Sequence, residues 1–258
     1  MDEAMKMGSF LDCGYEERVG EMEVGIIGAM EGEVALLVDA MEDKRMLTIS
    51  GLTFFRGTID ECKVIVVKCG VGKVNAAIAA EILCGGFQVG ALINTGVAGG
   101  LDSRVRIGDI VLSTDLLQHD MDVTALGYEP AVIPDQDISV FAADEKLRNL
   151  AIEAAEDVPD LNVVEGRIVS GDQFISGLDR KLYLLEAFSG VCTEMEGAAI
   201  GQVCSMNKTP FLVLRSISDQ ADGAAVTDYP TFLKMAEMNS SMLVRKMLWK
   251  MAGMGDLA

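Results

Sequence analysis

The stretch Ala91-Leu92-Ile93-Asn94, followed directly by Thr95-Gly96-Val97-Ala98-Gly99-Gly100-Leu101, decides the fold class of this chain. Its first four residues form a short apolar run of the kind that becomes a strand buried on both faces. The glycines that follow predict a tight turn at the carboxyl end of that strand. Because open α/β sheets bind their ligands at this end, the turn is also a candidate binding site.

Similar apolar runs recur along the chain and alternate with helical patterns. We predict further strands at residues 23–28, 46–50, 53–59, 62–69, 109–116, 163–170 and 210–217. We predict helices near residues 144–156, 179–187, 196–206 and 231–250. Strands that alternate with helices indicate one α/β domain with helices on both faces of a sheet.

A further helix and a long loop complete the predicted elements. Val74, Ile78 and Ile82 recur every four residues and so mark one face of a helix. The pair Gly85-Gly86 is expected to end that helix, since glycine accepts the left-handed conformation after a last turn. Residues 119–139 predict a long loop, and long loops in compact domains are often functional.

Composition narrows the classes of ligand. Half of the 258 residues are apolar and the formal net charge is −19. Duplex nucleic acid is a poor partner for such a chain, because its binding needs Lys and Arg to replace counterions. Anionic membrane surfaces are disfavoured for the same reason. We therefore expect a small or neutral ligand.

The termini and the cysteines predict a cytoplasmic protein. The six cysteines include no C-x-x-C pair, which favours reduced and buried thiols. Residues 1–21 are polar and lack the apolar segment of a secretory signal. No apolar run approaches the roughly 20 residues that span a bilayer. We interpret residues 1–21 as a disordered N-terminal extension and residues 22–258 as the catalytic domain.

Two segments resemble other kinds of site but lack the residues these need. The run Gly70-Val71-Gly72-Lys73-Val74-Asn75 has neither the spacing nor the Ser or Thr of a Walker loop, so a strand-to-helix turn is the better interpretation. His119 is the only histidine, and no His or Cys cluster accompanies it. We predict no metal and no cofactor, and interpret His119 as a polar loop residue.

Acidic residues cluster at the predicted strand ends. The string EMEGA (residues 194–198) places two carboxylates at the mouth of a helix, and RSISD (215–219) places Asp219 just past a buried strand. A third segment, IIGAMEGEV (26–34), brings Glu33 to the start of another helix. Carboxylates in these positions can also serve as helix caps or favour the helix dipole. Together they are suited to gripping sugar hydroxyls while protonating an attached base.

With these strings in order, the sequence resembles the 5′-methylthioadenosine/S-adenosylhomocysteine nucleosidases of the nucleoside phosphorylase and nucleosidase superfamily. The other matching strings are GVGKVNAA, INTGVAGGL, GDIV, HDMDVTALGYE and IVSGDQFI. The resemblance runs from about residue 22 to the C-terminal helix. It implies a single-domain nucleoside phosphorylase-like fold with a central mixed, twisted β-sheet. It also implies hydrolysis of an N-glycosidic bond that releases adenine.

The resemblance implies distinct roles for the two catalytic acids. Glu33 is expected to hold and activate the attacking water. Asp219 is expected to deliver a proton to N7 of adenine, with Ser218 orienting it. Ala98 and Gly99, from the glycine-rich segment, are expected to contact the substrate. The chemistry agrees, because adenine protonated at N7 leaves as a neutral base, and a positioned general acid contributes about 10²–10⁴-fold.

The same resemblance implies the contacts of the purine and the ribose. Phe174 is expected to stack on the purine ring, and the backbone of Ile175 to bond its edge. Glu196 is expected to grip the ribose hydroxyls, with Met195 beneath the sugar and Arg215 beside the water. A carboxylate such as Glu196 also stabilises the cationic sugar of the transition state.

The pocket for the 5′-alkylthio group is implied to involve two subunits. Val71 and Tyr229 are expected to line it, and Val123 and Pro134 to come from the partner subunit of a homodimer. In the family a Ser often stands at the position of Val97, and a Phe at that of Leu126. The implied substrates are small adenine nucleoside thioethers.

Three alternatives stay open on sequence grounds. A purine nucleoside phosphorylase uses phosphate as the nucleophile, but Glu33 and the apolar Val97 disfavour an anion beside the glycine-rich segment. A related nucleosidase acts on the adenine nucleoside aminodeoxyfutalosine, which the sequence does not distinguish. A relative that binds ligand without catalysis would not need its acids, and Glu33, Glu196 and Asp219 are all present.

Overall fold

The structure, a computed structural model, describes residues 23–254. The predicted extension, residues 1–21, lies outside the described residues, and the domain boundary at residue 22 stays a prediction. The strands are β1 (Val24–Gly28), β2 (Glu42–Ile49), β3 (Leu52–Ile59), β4 (Cys62–Lys68), β5 (Ala91–Gly100), β6 (Ile110–Gln118), β7 (Val140–Ala142), β8 (Val163–Ser170), β9 (Cys192–Glu194) and β10 (Phe211–Asp219). The helices are α1 (Glu31–Asp39), α2 (Lys73–Glu81), α3 (Glu145–Ala155), α4 (Leu178–Phe188), α5 (Gly197–Asn207) and α6 (Ala225–Met254).

The strands form one mixed sheet that closes on itself at one end. From β1 the sheet extends through β4 and β3 to the edge strand β2. On its other side β1 pairs in parallel with β5, which pairs with both β9 and β10. Strand β6 joins β10 to β8, and β8 pairs with β9. The strands β5, β10, β6, β8 and β9 therefore form a closed ring, which has no free edge between its members.

Burial on both faces explains why the central strands lack a regular alternation of apolar and polar residues. Every residue of β1 and of β10 is buried. Strands covered on both faces read as continuous apolar runs. Helices α1, α3 and α6 pack together over β5 and β10, and α2 packs against α5. The predicted α/β class, with its mixed sheet and flanking helices, is confirmed.

The glycine-rich segment is strand and not the predicted turn. Strand β5 continues through it and ends at Gly100. A side chain at Gly96 would collide with the guanidinium of Arg215 and the carboxyl of Glu33. A side chain at Gly99 would lie 2.9 Å from Oδ1 of Asp219. The glycines therefore leave space for charged side chains from neighbouring elements. The residue pattern of β5 alone does not show that this space is needed.

The helix marked by Val74 and Ile78 also differs from expectation. It ends in a π-helical segment (Ile82–Phe87) that contains Gly85-Gly86, and Gln88 takes the left-handed conformation at φ 56°. Val74 is 71% exposed and Ile78 is 43% exposed, whereas three of the four alanines of α2 are buried in the core. The apolar repeat therefore marks one helix face, but that face is not covered by this chain. Among the helices of residues 23–254, none has the length and apolar composition of a membrane span.

Candidate active site

A cavity of about 260 Å³ opens where β1, β5 and β10 end. The strands are mutually parallel, so their carboxyl ends lie at the same edge of the sheet. Most of the sequence-predicted site residues line this cavity, in chain order Glu33, Val71, Ala98, Gly99, Phe174, Ile175, Met195, Glu196, Ser218, Asp219 and Tyr229. Segments far apart in sequence thus converge on one space.

Three predicted residues do not line this cavity. Arg215 lies behind the wall, where it is 1% exposed. Val123 and Pro134 lie in the loop after β6, away from the cavity of their own chain. Their expected role, covering the 5′ pocket of the partner subunit, therefore stays a prediction.

Glu33 is held at the carboxyl end of β1 by backbone amides. Its Oε2 accepts hydrogen bonds from the amides of Ala29 (2.6 Å) and Met30 (2.9 Å), and its Oε1 accepts one from Val97 (3.1 Å). Burial raises the pKa of Glu33, and Arg215 and these amides oppose the rise. A fixed, desolvated carboxyl of raised pKa is suited to accepting a proton.

Arg215 and Glu194 form a fully buried ion pair behind the cavity. Nη2 of Arg215 donates to Oε2 of Glu194 (2.5 Å) and to Oδ1 of Asn94 (2.6 Å). The same Glu194 oxygen accepts from the amides of Glu196 (3.0 Å) and Gly197 (2.8 Å). Burial alone lowers the pKa of Arg215, but the surrounding carboxylates raise it above its ordinary value. Arg215 therefore stays charged and fixes the acids around it.

Glu196 stands at the start of α5 and faces the cavity. Its Oε1 accepts a hydrogen bond from the amide of Gly72 (2.8 Å), and its Oε2 lies 3.7 Å from Nη2 of Arg215. Burial, with the nearby charge of Glu194, raises the pKa of Glu196 to about 7. A carboxyl of this pKa carries a substantial negative charge at neutral pH and can grip hydroxyl groups as a strong acceptor.

Asp219 ends β10 on the other side of the cavity. Its Oδ1 accepts a hydrogen bond from the amide of Ala221 (2.8 Å), and its Oδ2 accepts one from Oγ of Ser218 (2.9 Å). Burial raises its pKa, and the neighbouring Asp228 and Asp222 add to the rise. The protonated form is therefore populated at higher pH than in an ordinary Asp, as a general acid requires.

Aromatic side chains stand over the mouth of the cavity. The rings of Phe174 and Tyr229 meet edge to face with their centroids 5.7 Å apart. Hydroxyl Oη of Tyr229 lies 3.2 Å from Sδ of Met30. Phe174 is 50% exposed, so its face is free to cover a planar ligand. Ile175, the next residue, is buried in the wall.

The cavity is acidic. Carboxyl groups of Glu33, Glu196 and Asp219 lie on its wall, and the buried carboxyl of Glu194 pairs with Arg215 behind it. Within the described residues, no Lys or Arg side chain lines it. Such a wall stabilises positive charge that develops on a bound molecule and repels an anion. Residues 23–254 contain no group of three His, Cys, Asp or Glu side chains that could hold a metal ion.

The cavity wall includes residues that the sequence interpretation left without a role. They are Ala29, Met30, Val97, Gln173, Thr193 and Glu194. Val97 offers no hydroxyl, but its amide bonds Glu33. Thr95, which carries the nearest preceding hydroxyl on β5, does not line the cavity, and its Oγ1 has no hydrogen-bond partner within residues 23–254. The signal for Glu194 was its place two residues before Glu196 in the EMEGA string.

Comparison with known proteins identifies the family. The sequence model of the phosphorylase superfamily matches residues 23–248. The chain belongs to the phosphorylase superfamily. The 5′-methylthioadenosine/S-adenosylhomocysteine nucleosidase of an Exiguobacterium species is 42% identical over 224 residues, which cover 86% of this chain and 96% of that protein. The resemblance inferred from the ordered strings is thereby confirmed.

Solved structures show the same likeness. The nucleosidase of this type from Colwellia psychrerythraea, in complex with adenine, is 40% identical with a TM-score of 0.85, and the match covers 89% of this chain and 95% of that chain. The futalosine hydrolase of Helicobacter pylori is 31% identical with a TM-score of 0.84, and the match covers 89% of this chain and 98% of that chain. The predicted phosphorylase-like fold is therefore confirmed as well.

Proposed function

We propose that this chain hydrolyses the N-glycosidic bond of 5′-methylthioadenosine and S-adenosylhomocysteine. The products are adenine and 5′-methylthioribose or S-ribosylhomocysteine. One observation carries the proposal: Glu33 on α1 and Asp219 at the end of β10, both buried and both with raised pKa, reach the same acidic cavity. The 42% identical nucleosidase supports the same substrates.

Asp219 serves as the general acid. It gives its proton to N7 of the adenine ring, so the base leaves as a neutral molecule. The amide of Ala221 and the hydroxyl of Ser218 fix the carboxyl group in the cavity. Phe174 covers the ring, and the backbone of Ile175 bonds its edge. Gly99 leaves space for the base beside Asp219, since a Cβ there would lie 2.9 Å from its Oδ1.

Glu196 and Glu33 act on the sugar and the water. As the bond to adenine breaks, positive charge develops on the ribose, and Glu196 stabilises that charge while accepting hydrogen bonds from the hydroxyls. Met195 packs beneath the sugar. Glu33 takes a proton from the water as it attacks from the face opposite the base, as the carboxylate base of an inverting glycosidase does. Arg215 holds these carboxylates in place through its charge.

We expect adenine release to proceed at its full rate in buffer without phosphate. Phosphate is an anion, and the cavity wall has carboxyl groups but no described Lys or Arg side chain to bind it. The measurement is the rate of adenine release from 5′-methylthioadenosine with and without added phosphate. Adenine formation that requires phosphate and yields a sugar 1-phosphate would identify a phosphorylase instead.

The similarity to a futalosine hydrolase supports aminodeoxyfutalosine as the alternative substrate. That structure is 31% identical, whereas the 5′-methylthioadenosine/S-adenosylhomocysteine nucleosidases compared reach 40% and 42%. The higher identity favours thioether substrates. Turnover of aminodeoxyfutalosine above that of 5′-methylthioadenosine in the same assay would reverse this preference.

We infer that the enzyme is a homodimer and that the loop after β6 closes the partner's 5′ pocket. Large exposed apolar patches mark protein interfaces, and Val71, Val74, Ile78 and Leu126 are all at least 43% exposed. Val71 lines the open 5′ side of the cavity with Tyr229. In this arrangement Val123 and Pro134 cover the pocket of the other subunit.

Sedimentation velocity tests the dimer. We expect the mass of two chains for the wild type and a shift toward one chain for Ile78→Glu, which places a charge in the proposed interface. Leu36→Glu is the matched control, because Leu36 is 45% exposed on helix α1 and belongs neither to the proposed patch nor to the loop after β6. A wild type that sediments as one chain contradicts the inference.

We also infer that the enzyme works in the cytoplasm. The described cysteines, Cys62, Cys69, Cys84, Cys192 and Cys204, are buried and free. Free buried thiols are typical of a reducing compartment.

A further inference from the structure

Three segments meet beside the cavity. Two of them are the segments for which the sequence disfavours a nucleotide-binding loop and a metal site. The three segments are the turn Gly70–Asn75, the loop that begins at His119, and residues 171–175 after β8. A closed ring of hydrogen bonds joins them. The amide of Lys73 donates to Oδ1 of Asp172 (2.8 Å), and the amide of Asp172 donates to Oδ2 of Asp120 (2.9 Å). Nζ of Lys73 donates to Oδ1 of Asp120 (2.6 Å), which closes the ring.

Asp120 is ionised within this ring. Burial opposes its negative charge, but the ammonium of Lys73 and the amide of Asp172 lower its pKa below the ordinary value. The side chains of Lys73 and Asp120 are 18% and 15% exposed, so solvent screens this ion pair less than an ordinary surface pair. The contact is therefore suited to holding loops in place.

The ring also reaches α5 through a second contact of Lys73. Its Nζ donates to Oε1 of Gln118 (3.0 Å), whose Nε2 donates to Oε1 of Gln202 on α5 (2.7 Å). Helix α5 begins directly after Glu196. One ammonium group thus connects α2, the end of β6 and α5.

Both walls of the cavity are attached to this ring. On the ribose side, the amide of Gly72 donates to Glu196 (2.8 Å), and the next amide, that of Lys73, binds Asp172. On the purine side, Phe174 and Ile175 follow Asp172 by two and three residues. Gly72 is at φ 99°, a conformation that favours glycine and that directs these successive amides to different acceptors.

We propose that Lys73, with Asp120 and Asp172, is a positioning network that fixes the purine wall relative to the ribose wall. The inference rests on the proposed function, because it assigns Glu196 to the ribose and Phe174 to the purine. Lys73 does not line the cavity and touches no reacting atom. It acts through Gly72 and Asp172, whose neighbours bind the two halves of one substrate. Positions set this way matter because small misplacements in a site cost large factors in rate.

The test replaces Lys73 by methionine, which keeps a long side chain and removes the charge. We expect KM for 5′-methylthioadenosine to rise about tenfold, the size of losing one hydrogen bond to a charged group. We expect kcat to fall by a smaller factor, because the acids themselves remain. The dissociation constant of adenine, measured by calorimetry on the full chain, should rise by a similar factor. Asp120→Asn should behave alike, and the double variant should be no worse than either single one, since each opens the same ring.

The matched control is Arg167→Met. Arg167 and Asp115 form a comparable ion pair between β8 and β6, with 30% and 24% exposure, and neither residue lines the cavity. We expect this variant to lose thermal stability while KM and adenine affinity stay within about twofold of wild type. If Lys73→Met lowers only the melting temperature, or if Arg167→Met raises KM equally, the positioning role is wrong.

The proposed function is tested separately by the wild type in the same experiment. A wild type that releases no adenine refutes the function. In that case adenine binding still tests the positioning network, because the dissociation constant of adenine can be compared between Lys73→Met and Arg167→Met. Equal dissociation constants in those two variants overturn the network whether or not the chain is a hydrolase.

Discussion

Asp219→Asn is expected to lower kcat for adenine release by about 10²–10⁴-fold, the usual contribution of a general acid. Without a proton donor at N7, adenine must leave as an anion, which is a much poorer leaving group. Binding of 5′-methylthioadenosine should change little, because the contacts of the ribose and of the 5′ group remain. Single-turnover rates and equilibrium binding measured on the same preparation separate the two effects.

The surroundings of Asp219 make this substitution a clean one. The asparagine oxygen can still accept the hydrogen bond from the amide of Ala221, and its amide group can donate to the hydroxyl of Ser218, which rotates to accept. Asp109→Asn is the matched control, since Asp109 also accepts a backbone hydrogen bond, from Arg106 (2.8 Å), outside the cavity. That variant should keep wild-type kcat. Asp219→Asn with more than a tenth of wild-type kcat would remove Asp219 from the acid role.

The raised pKa of Asp219 also sets the direction of its pH dependence. Burial, with the charges of Asp228 and Asp222, favours the protonated form over the carboxylate. Because only the protonated form donates, kcat should fall as the pH rises through this pKa. Asp219→Asn should lack that part of the profile, since it has no proton to lose.

The fully buried strands could be predicted from the sequence, and the one misassigned segment, in β5, has a local cause. β1 is a continuous apolar run and β10 begins with one (residues 211–214), and both strands lie within a few residues of the predicted bounds. The string TGVAGGL (residues 95–101) predicts a turn, because glycine normally interrupts a strand, but β5 continues through it to Gly100. There, charged side chains from α1 and β10 take the space that side chains on β5 would need. Only the assembled sheet contains that information.

Faces of helices were harder to assign than helices themselves. Val74 and Ile78 indicated the correct helix, but their face is exposed, and the small residues Ala76, Ala79 and Ala80 pack inward. Hydrophobic periodicity identifies a face that needs covering and does not say which chain covers it. An interface between subunits leaves the same pattern as a core.

Some residues of the candidate site can be predicted from the sequence pattern, whereas others are recognised only from their contacts in the structure. The carboxylates at strand ends could be singled out because Glu33, Glu196 and Asp219 interrupt or end apolar runs. Glu194 stood in the same string, yet its pairing with Arg215 requires β9 and β10 to be brought together by the closed ring of strands. Lys73 was likewise invisible as a positioning residue, since Asp120 and Asp172 are distant in sequence.

Glu33→Gln is expected to reduce kcat by about 10²–10⁴-fold as well, but for a different reason. The glutamine cannot take a proton from water, so the nucleophile is no longer activated. The variant also meets a mismatch: one oxygen can accept from Ala29 and Met30, but the side-chain amide then faces the donating amide of Val97. A modest loss of stability should therefore accompany the loss of rate.

Glu31→Gln provides the control that separates charge from position. Glu31 lies two residues earlier in the first turn of α1, where its carboxylate is 74% exposed and pairs with Lys68. It should retain wild-type kcat and stability within the small effects of a surface ion pair. A Glu33→Gln variant that keeps wild-type hydrolysis assigns water activation to another group and leaves Glu33 a structural acceptor of three backbone amides.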